Sequence, residues 1–314
     1  MKFSNIKHEE KIIKTDDLSL HEVLENNSHL IPQYNHKVLT FNVSNVPYCI
    51  INGYRRCMID EIPIKHMYLI ISSVKTNDPY ILQDMVKDRI EMIPLIQSID
   101  PIVTFKLNIS NIGDSIMSIY SSDLISSDDN IYFNQTFKVC DLNPNSYIKI
   151  DNIKIRKSSG EQDGKFSLCM ASYEVDDISK SSMILFKNDF NMFIESFGNI
   201  EVYDIVNMAR DLLIKRLNII KNNILTGTIR LVNIGEIHQY FLEKEGYTIG
   251  ELLRIYIYQT SDNIKLINYD SGYPSEKGII LNIIHPNHKE LIISSIELII
   301  KDISLFASNL TSYK

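Results

Sequence analysis

The sequence predicts an α+β fold, and three observations carry that prediction. A strand-to-helix module spans Asn45–Pro63 (NVPYCIINGYRRCMIDEIP), and a similar one recurs far downstream at Tyr247–Tyr258 (YTIGELLRIYIY). Between residues 98 and 182 helical periodicity gives way to short alternating runs, divided by turn clusters such as Ser126-Ser127-Asp128-Asp129-Asn130 and Ser158-Ser159-Gly160. The chain then closes on a long segment that is apolar on two sides. Two related half-modules on one polypeptide predict an intramolecular pair, with a mostly β domain inserted in the first.

Residues 1–35 read as an N-terminal arm, polar and weakly periodic apart from Leu18, Leu20, Val23 and Leu24, which make an amphipathic turn or two before Pro32 stops them. Alternation over His36–Val43 predicts a half-buried strand. Ser44 or Asn45 supplies an N-cap oxygen, and Pro47 falls near the first helical turn, where its missing N–H costs nothing. In the helix that follows, Ile50, Ile51, Tyr54, Cys57 and Met58 form one stripe, leaving Asn52, Arg55, Arg56 and Asp60 on other faces until Pro63 ends it. Gly53 in mid-helix costs about 1 kcal/mol relative to Ala, so close packing is its expected justification. A strand over Met67–Val74 leads to Asp78-Pro79, a second cap and first-turn pair, and to a helix burying Ile81, Leu82, Met85, Val86 and Ile90.

Within the inserted segment the β-like runs are Ile102–Ile109, Ser115–Tyr120 and Tyr147–Ile155. A strand at Asn191–Ser196 then precedes a helix over Glu201–Ile224, whose broad apolar face holds Val202, Ile205, Val206, Ala209, Leu212, Leu213, Leu217 and Ile220. The last unit reads as strand Gln239–Glu243, helix Thr248–Gln259, strands Lys265–Asp270 and Gly278–His285, and a closing helix from Asn287. Leu291, Ile292, Ser295, Ile296, Ile299, Ile303, Phe306 and Leu310 recur along that helix, and Leu298, Ile300 and Leu305 widen its apolar surface. A helix apolar on two sides needs two partners.

Composition sets the outer bounds. With 314 residues, 44% hydrophobic and 23% charged, and only 11 Gly and 9 Pro, the chain can bury a sizeable core and is not a disordered one. Net charge is -7, so no direct nucleic-acid contact is expected. The four cysteines (Cys49, Cys57, Cys140, Cys169) form no CxxC pair and read as reduced core thiols of an intracellular protein. No apolar run approaches the roughly twenty residues that span a bilayer, and the N-terminus lacks a signal-peptide core, so no membrane partner is expected.

These residues carry a family resemblance. NVPYCIINGYRRCMIDEIP, DRIEMIPL, SIYSSDLI, RKSSGEQDGKFSLCMASYEV and FIESFGNI stand in the order of a D-like subunit, over residues 36 to 225. EKEGYTIGELLRIYIYQ, INYDSGYP and KGIILNIIHP stand in the order of an L-like subunit, over residues 239 to 310, with Tyr247 where the family commonly has His. The chain thus resembles the alpha-like subunits of multisubunit DNA-directed RNA polymerases: the bacterial alpha amino-terminal domain, archaeal subunits D and L, and the third and eleventh subunits of polymerase II. Both parts in one chain resemble the arrangement in polymerases of large cytoplasmic DNA viruses.

The resemblance implies two alpha-like dimerisation modules fused as an intramolecular pseudo-dimer: D-like at 36–97 plus 183–225, L-like at 226–314, and a mostly β insertion at 98–182. It implies a non-catalytic platform on which the two largest polymerase subunits assemble, joined by small polymerase subunits in a heteromeric complex. Arg55 and Arg56 match the family's contact with the second-largest subunit, and Asn52, Asp60 and Glu61 belong to the same motif; the plainer reading is an arginine pair solvated beside Asp60 and Glu61. Leu213, Leu217, Ile220, Ile249, Leu252, Leu253, Ile296, Ile299 and Ile303 would form the intramolecular interface. The implied compartment is the host cytoplasm, with the virion as a second.

Many D-like subunits carry a cysteine cluster in the insertion, whereas this one holds only Cys140 and Cys169, so no metal and no cofactor are expected. His285 and His288 flank Pro286 and read as a turn before the last helix. Asp123, Asp128 and Asp129 lack EF-hand spacing and read as a loop. No P-loop, nucleophile elbow or HExxH occurs, so no catalytic residue is expected. The rival of another class is a free-standing interaction adaptor or assembly chaperone that reuses the alpha-like fold.

Overall fold

The computed structural model describes residues 1–12, 35–95, 97–128, 137–175, 187–196, 200–271 and 277–313. Helices and antiparallel sheets make an α+β protein. Strand β1 (Lys2–Ile12) pairs with β2 (Asn35–Pro47), so the start of the N-terminal arm extends a sheet; its expected amphipathic turn around Leu18–Leu24 lies outside the described residues. Phe3 on β1 packs on Phe41 and on Phe306 of the last helix, with ring centroids 5.6 and 5.3 Å apart.

Strand β2 runs further than alternation suggested. Asn45 adopts φ 61° and its N–H donates to Asp189 Oδ1 at 3.0 Å, at a bulge where the pairing with strand β11 (Lys187–Ser196) shifts register. Asn tolerates the left-handed region better than most residues, so it serves the bulge and not a helix cap. Pro47 takes the N-cap position of α1 (Tyr48–Arg56) without a side-chain cap bond. The helix then widens into a π-helical turn, Cys57–Glu61, before Pro63.

From here the chain builds a second core. Strands β3 (Ile64–Tyr68), β4 (Lys75–Thr76), β5 (Phe105–Asn111), β6 (Met117–Tyr120), β7 (Ile125–Ser126), β8 (Lys138–Leu142) and β9 (Ser146–Ser158) form a five-stranded and a two-stranded sheet. Helix α2 (Gln83–Glu91) covers them, burying Val86 and Ile90 with Met67, Phe105, Leu107 and Ile150. The helix thus packs in this second core and not with the rest of the expected 36–97 module, and its buried face is narrower than its apolar spacing predicts, for Leu82 and Met85 are 62% and 47% exposed. The expected strand Met67–Val74 breaks at a 3₁₀ turn, Ile71–Ser73. Asp78 does not cap the helix: it accepts from Tyr80 N–H and Asn143, and the helix starts only at Gln83.

Strands β10 (Cys169–Val175) and β11 (Lys187–Ser196) return the chain to the first sheet, whose order is β1-β2-β11-β10. Helix α3 (Val202–Thr226) follows and stops at Gly227, where φ is 69°, the left-handed backbone a helix C-terminus commonly takes at glycine. Then come β12 (Arg230–Ile234), β13 (Ile237–Glu243), α4 (Tyr247–Thr260), β14 (Leu266–Ser271), β15 (Gly278–Ile284) and α5 (His288–Thr311). Their sheet has the order β12-β13-β15-β14. Helix α5 packs against both α3 and α4, and α4 against α1. One continuous core therefore takes in the first sheet, the last sheet and all four of these helices. No helix of the described residues is long and apolar enough to cross a membrane.

Candidate functional site

The motif residues ride on α1 and its π turn, and neither arginine stands out in solvent: Asn52, Arg55, Arg56, Asp60 and Glu61 are all half-buried. Spacing of three along a helix brings Arg55 over Asn52. Its Nε and Nη2 donate to Asn52 Oδ1 at 3.2 and 3.1 Å, while Asn52 Nδ2 donates to Tyr48 OH at 3.3 Å. Arg56 points across to α4, where its Nε donates to Thr248 Oγ1 at 3.2 Å. The two arginines thus have different tasks. Among the described residues Arg55 meets no carboxylate at ion-pair distance, which also sets aside local pairing with Asp60 or Glu61.

Arg56 is one end of a polar chain that crosses between the two halves. Thr248 Oγ1 donates to Glu61 Oε1 at 2.5 Å, and Glu61 Oε2 receives Arg216 Nη1 from α3. Arg216 Nε and Nη2 reach Glu245 Oε2, before α4, at 2.9 and 2.6 Å. Arg216, Glu61 and Glu245 side chains are only 17%, 15% and 10% exposed. Burial opposes the Arg216 charge, yet hydrogen bonding to Glu245 and attraction from Glu61 outweigh it and hold the guanidinium above its ordinary pKa. A rigid fork that binds two carboxylates at once suits arginine and not lysine.

Beside this chain lies a cleft of about 330 Å³ between α1 and α4, lined by Asn52, Gly53 and Arg56 on one side and Tyr247, Thr248, Glu251 and Tyr269 on the other. A Cβ on Gly53 would meet Leu252 at 3.5 Å, an ordinary contact, so close packing does not demand glycine there. Gly250 is the tight one, since a Cβ would stand 2.7 Å from the Tyr269 ring and 2.8 Å from Ile279. Arg254 Nη2 and Nε bind Glu251 at 2.7 and 2.8 Å, repeating on α4 the three-residue spacing of Arg55 over Asn52. That bond to Glu251 raises the Arg254 pKa, with burial the opposing effect.

Below the cleft the apolar candidates meet. Leu213, Leu217 and Ile220 on α3, Ile249, Leu252 and Leu253 on α4, and Ile296, Ile299 and Ile303 on α5 are all buried in the main core. Tyr54 of α1 donates its hydroxyl to Ile303 C=O at 2.8 Å and packs its ring 4.5 Å from Phe306. All four cysteines are buried and unpaired, and burial raises every thiol, Cys140 to about 11. Among the described residues no three His, Cys, Asp or Glu gather as a metal site. His285 Nδ1 accepts from Asn287 N–H in the turn before α5, and His288 stacks on His238 at 3.7 Å.

Known proteins align with this chain along most of its length. The DNA-directed RNA polymerase RPB3-11 homologs of African swine fever virus isolates from a Namibian warthog and a Kenyan pig are each 24% identical to it over 299 residues, covering 81% of this chain and 80% of the relative. The homolog of a South African tick isolate is 23% identical over the same length. The chain resembles viral alpha-like RNA polymerase subunits. No family model matches it. Against that alpha-like background the residues that sequence reasoning missed are Arg216, Glu245, Thr248 and the Glu251–Arg254 pair. Only the last carried a sequence signal, an acid three residues before an arginine in a helix that repeats the first module.

Proposed function

We propose that this chain is a non-catalytic subunit of a DNA-directed RNA polymerase, and that its D-like and L-like parts fold as an intramolecular pseudo-dimer on which the two largest subunits assemble. One observation carries the reading: similarity to relatives whose name joins both subunits runs across both halves, and those halves share one core along α3, α4 and α5. Fusion makes the encounter of the two modules intramolecular, with an effective concentration around millimolar, so assembly is independent of subunit dosage. Small polymerase subunits complete the complex, no direct nucleic-acid contact is needed, and the compartment is the host cytoplasm and the virion.

The two arginines divide the docking role. Arg56 belongs to the seam through Thr248, whereas Arg55 rests on a neutral amide and keeps a charge that a carboxylate of the second-largest subunit can answer. The test is affinity purification of the tagged chain from its native source. The two largest subunits co-purify, and Arg55→Ala releases the second-largest at least about tenfold more readily while leaving the thermal midpoint in place. Recovery of the chain alone and soluble supports the adaptor reading instead.

A further inference from the structure

The segment between β9 and β10 joins the two cores at the very motif that the docking reading uses. Its backbone lies against the end of the π turn: Glu161 N–H donates to Asp60 C=O at 2.8 Å, closing one of the carbonyls a helix end leaves open. Gly160 is what permits the approach, because a Cβ there would stand 2.8 Å from Ile59 C=O and 3.1 Å from Asp60 Cα. A few residues on, Lys165 reaches the second core and binds Asp88 and Glu91 of α2 at 2.8 and 2.7 Å. Glu91 is 3% exposed, Lys87 is its other cation at 2.8 Å, and its Oε1 has no hydrogen-bond partner among the described residues. A buried carboxylate so incompletely matched depends on its ammonium neighbours. Phe166 completes the attachment, its ring centred 3.9 Å from that of the buried His66 and tilted 32° to it, and His66 Nε2 meets Ser158 Oγ at 3.0 Å.

We infer that Ser159–Leu168 is a strap that sets the pose of the Asp60–Glu61 end of the motif from the second core, with Lys165 as the positioning residue that fastens it. Displacing α2 pulls the strap, and the strap carries Asp60, whose neighbour Glu61 enters the polar chain to Thr248 and Arg216. Its use in regulating subunit capture rests on the docking reading above, but the coupling itself is a property of this chain alone.

Hydrogen exchange on the full-length protein tests it, comparing Lys165→Met, Lys165→Arg and Gly160→Ala with the parent. Lys165→Met raises exchange about tenfold over Cys57–Ile62 as well as over Gln83–Glu91, and Lys165→Arg restores both. Gly160→Ala raises exchange at Glu161 and Cys57–Ile62 while Gln83–Glu91 keeps its protection. Loosening confined to Gln83–Glu91 and the strap, with Cys57–Ile62 at parental rates, overturns the inference. If Lys165→Met loses protection throughout α4 and α5 as well, Gly160→Ala decides, and unchanged Cys57–Ile62 exchange in it is fatal. A chain that shows the coupling yet captures no polymerase subunit keeps the strap and loses the docking reading.

Discussion

Arg216 holds two carboxylates, Glu61 from the end of the first motif and Glu245 from the start of the second, in a site where all three side chains are largely withdrawn from water. Replacing it by Met leaves two buried acids with no counter-charge, and breaking one side of such a site costs about 3 kcal/mol. Urea denaturation of Arg216→Met should show a loss of that size. Arg216→Lys should recover only part of it, because an ammonium cannot fork to both acids; equal midpoints for parent and Met variant would remove the site from the stability of the seam. At this scale the sequence revealed which residues share a helix face but not whom they meet. Asn52, Arg55 and Arg56 were legible as a group because the helix itself brings Arg55 over Asn52. The partners of Arg56 and Glu61 were not, since Thr248 and Arg216 lie 192 and 155 residues away and no periodicity reports a contact across that distance.

Helix α5 is the element on which both halves depend, and its first turn is held by a histidine stack. His288 lies 3.7 Å from His238, with planes 22° apart, and its Nδ1 meets the hydroxyl of the fully buried Tyr240. Burial, the His238 neighbour and Lys289 all lower the His288 pKa, Glu290 opposing them only in part. A base held neutral in the fold but free to take a proton in the unfolded chain gives a definite sign. Its stabilisation is complete above the unfolded pKa of about 6.5 and is lost as pH falls through that value toward the lower folded one. The urea midpoint should therefore drop between about pH 7 and pH 5, and His288→Asn should flatten that drop; His66, lowered chiefly by burial, accounts for a remainder. A midpoint that falls as steeply in His288→Asn would discharge the stack from this role. Elements were legible where apolar periodicity was strong, as in α3 and α5, and failed where a short-range feature overrode it. The bulge at Asn45 took the expected cap, and a 3₁₀ turn cut the Met67–Val74 strand, leaving Ile70 and Ile71 exposed. Strand β12 gave no signal because it is an edge strand with Val232 and Ile234 on its open side.

At the scale of the whole molecule the described residues gather into two cores, and their boundary was the least legible part of the sequence. A helical stripe states that a face is buried, not in which core, so α2 reads as part of its neighbour in sequence although it packs on β3, β8 and the Ile71–Ser73 turn of the second core. The joining of the first and last parts was easier to foresee, because α5 carries more apolar surface than one neighbour covers. Even so, Leu298 and Leu305 stay 44% and 41% exposed, so part of that second side is not packed within the chain. The link between the halves is slight by comparison: α3 ends at Gly227, where a Cβ would meet nothing within 4 Å among the described residues, and β12 begins at Arg230. Cutting the chain between Gly227 and Thr228 should thus leave the α3–α5 packing intact and change only how it is reached. The two pieces, co-expressed, should purify together, while either alone exposes the faces of α3 or α5 and aggregates. In the cut protein the urea midpoint should rise with protein concentration, and near 1 µM the pieces should be about 4 kcal/mol less stable than the joined chain, the difference between micromolar and millimolar encounter. A midpoint indifferent to concentration, with both pieces soluble and folded apart, would mean that the shared core contributes little and that the two halves are independent domains.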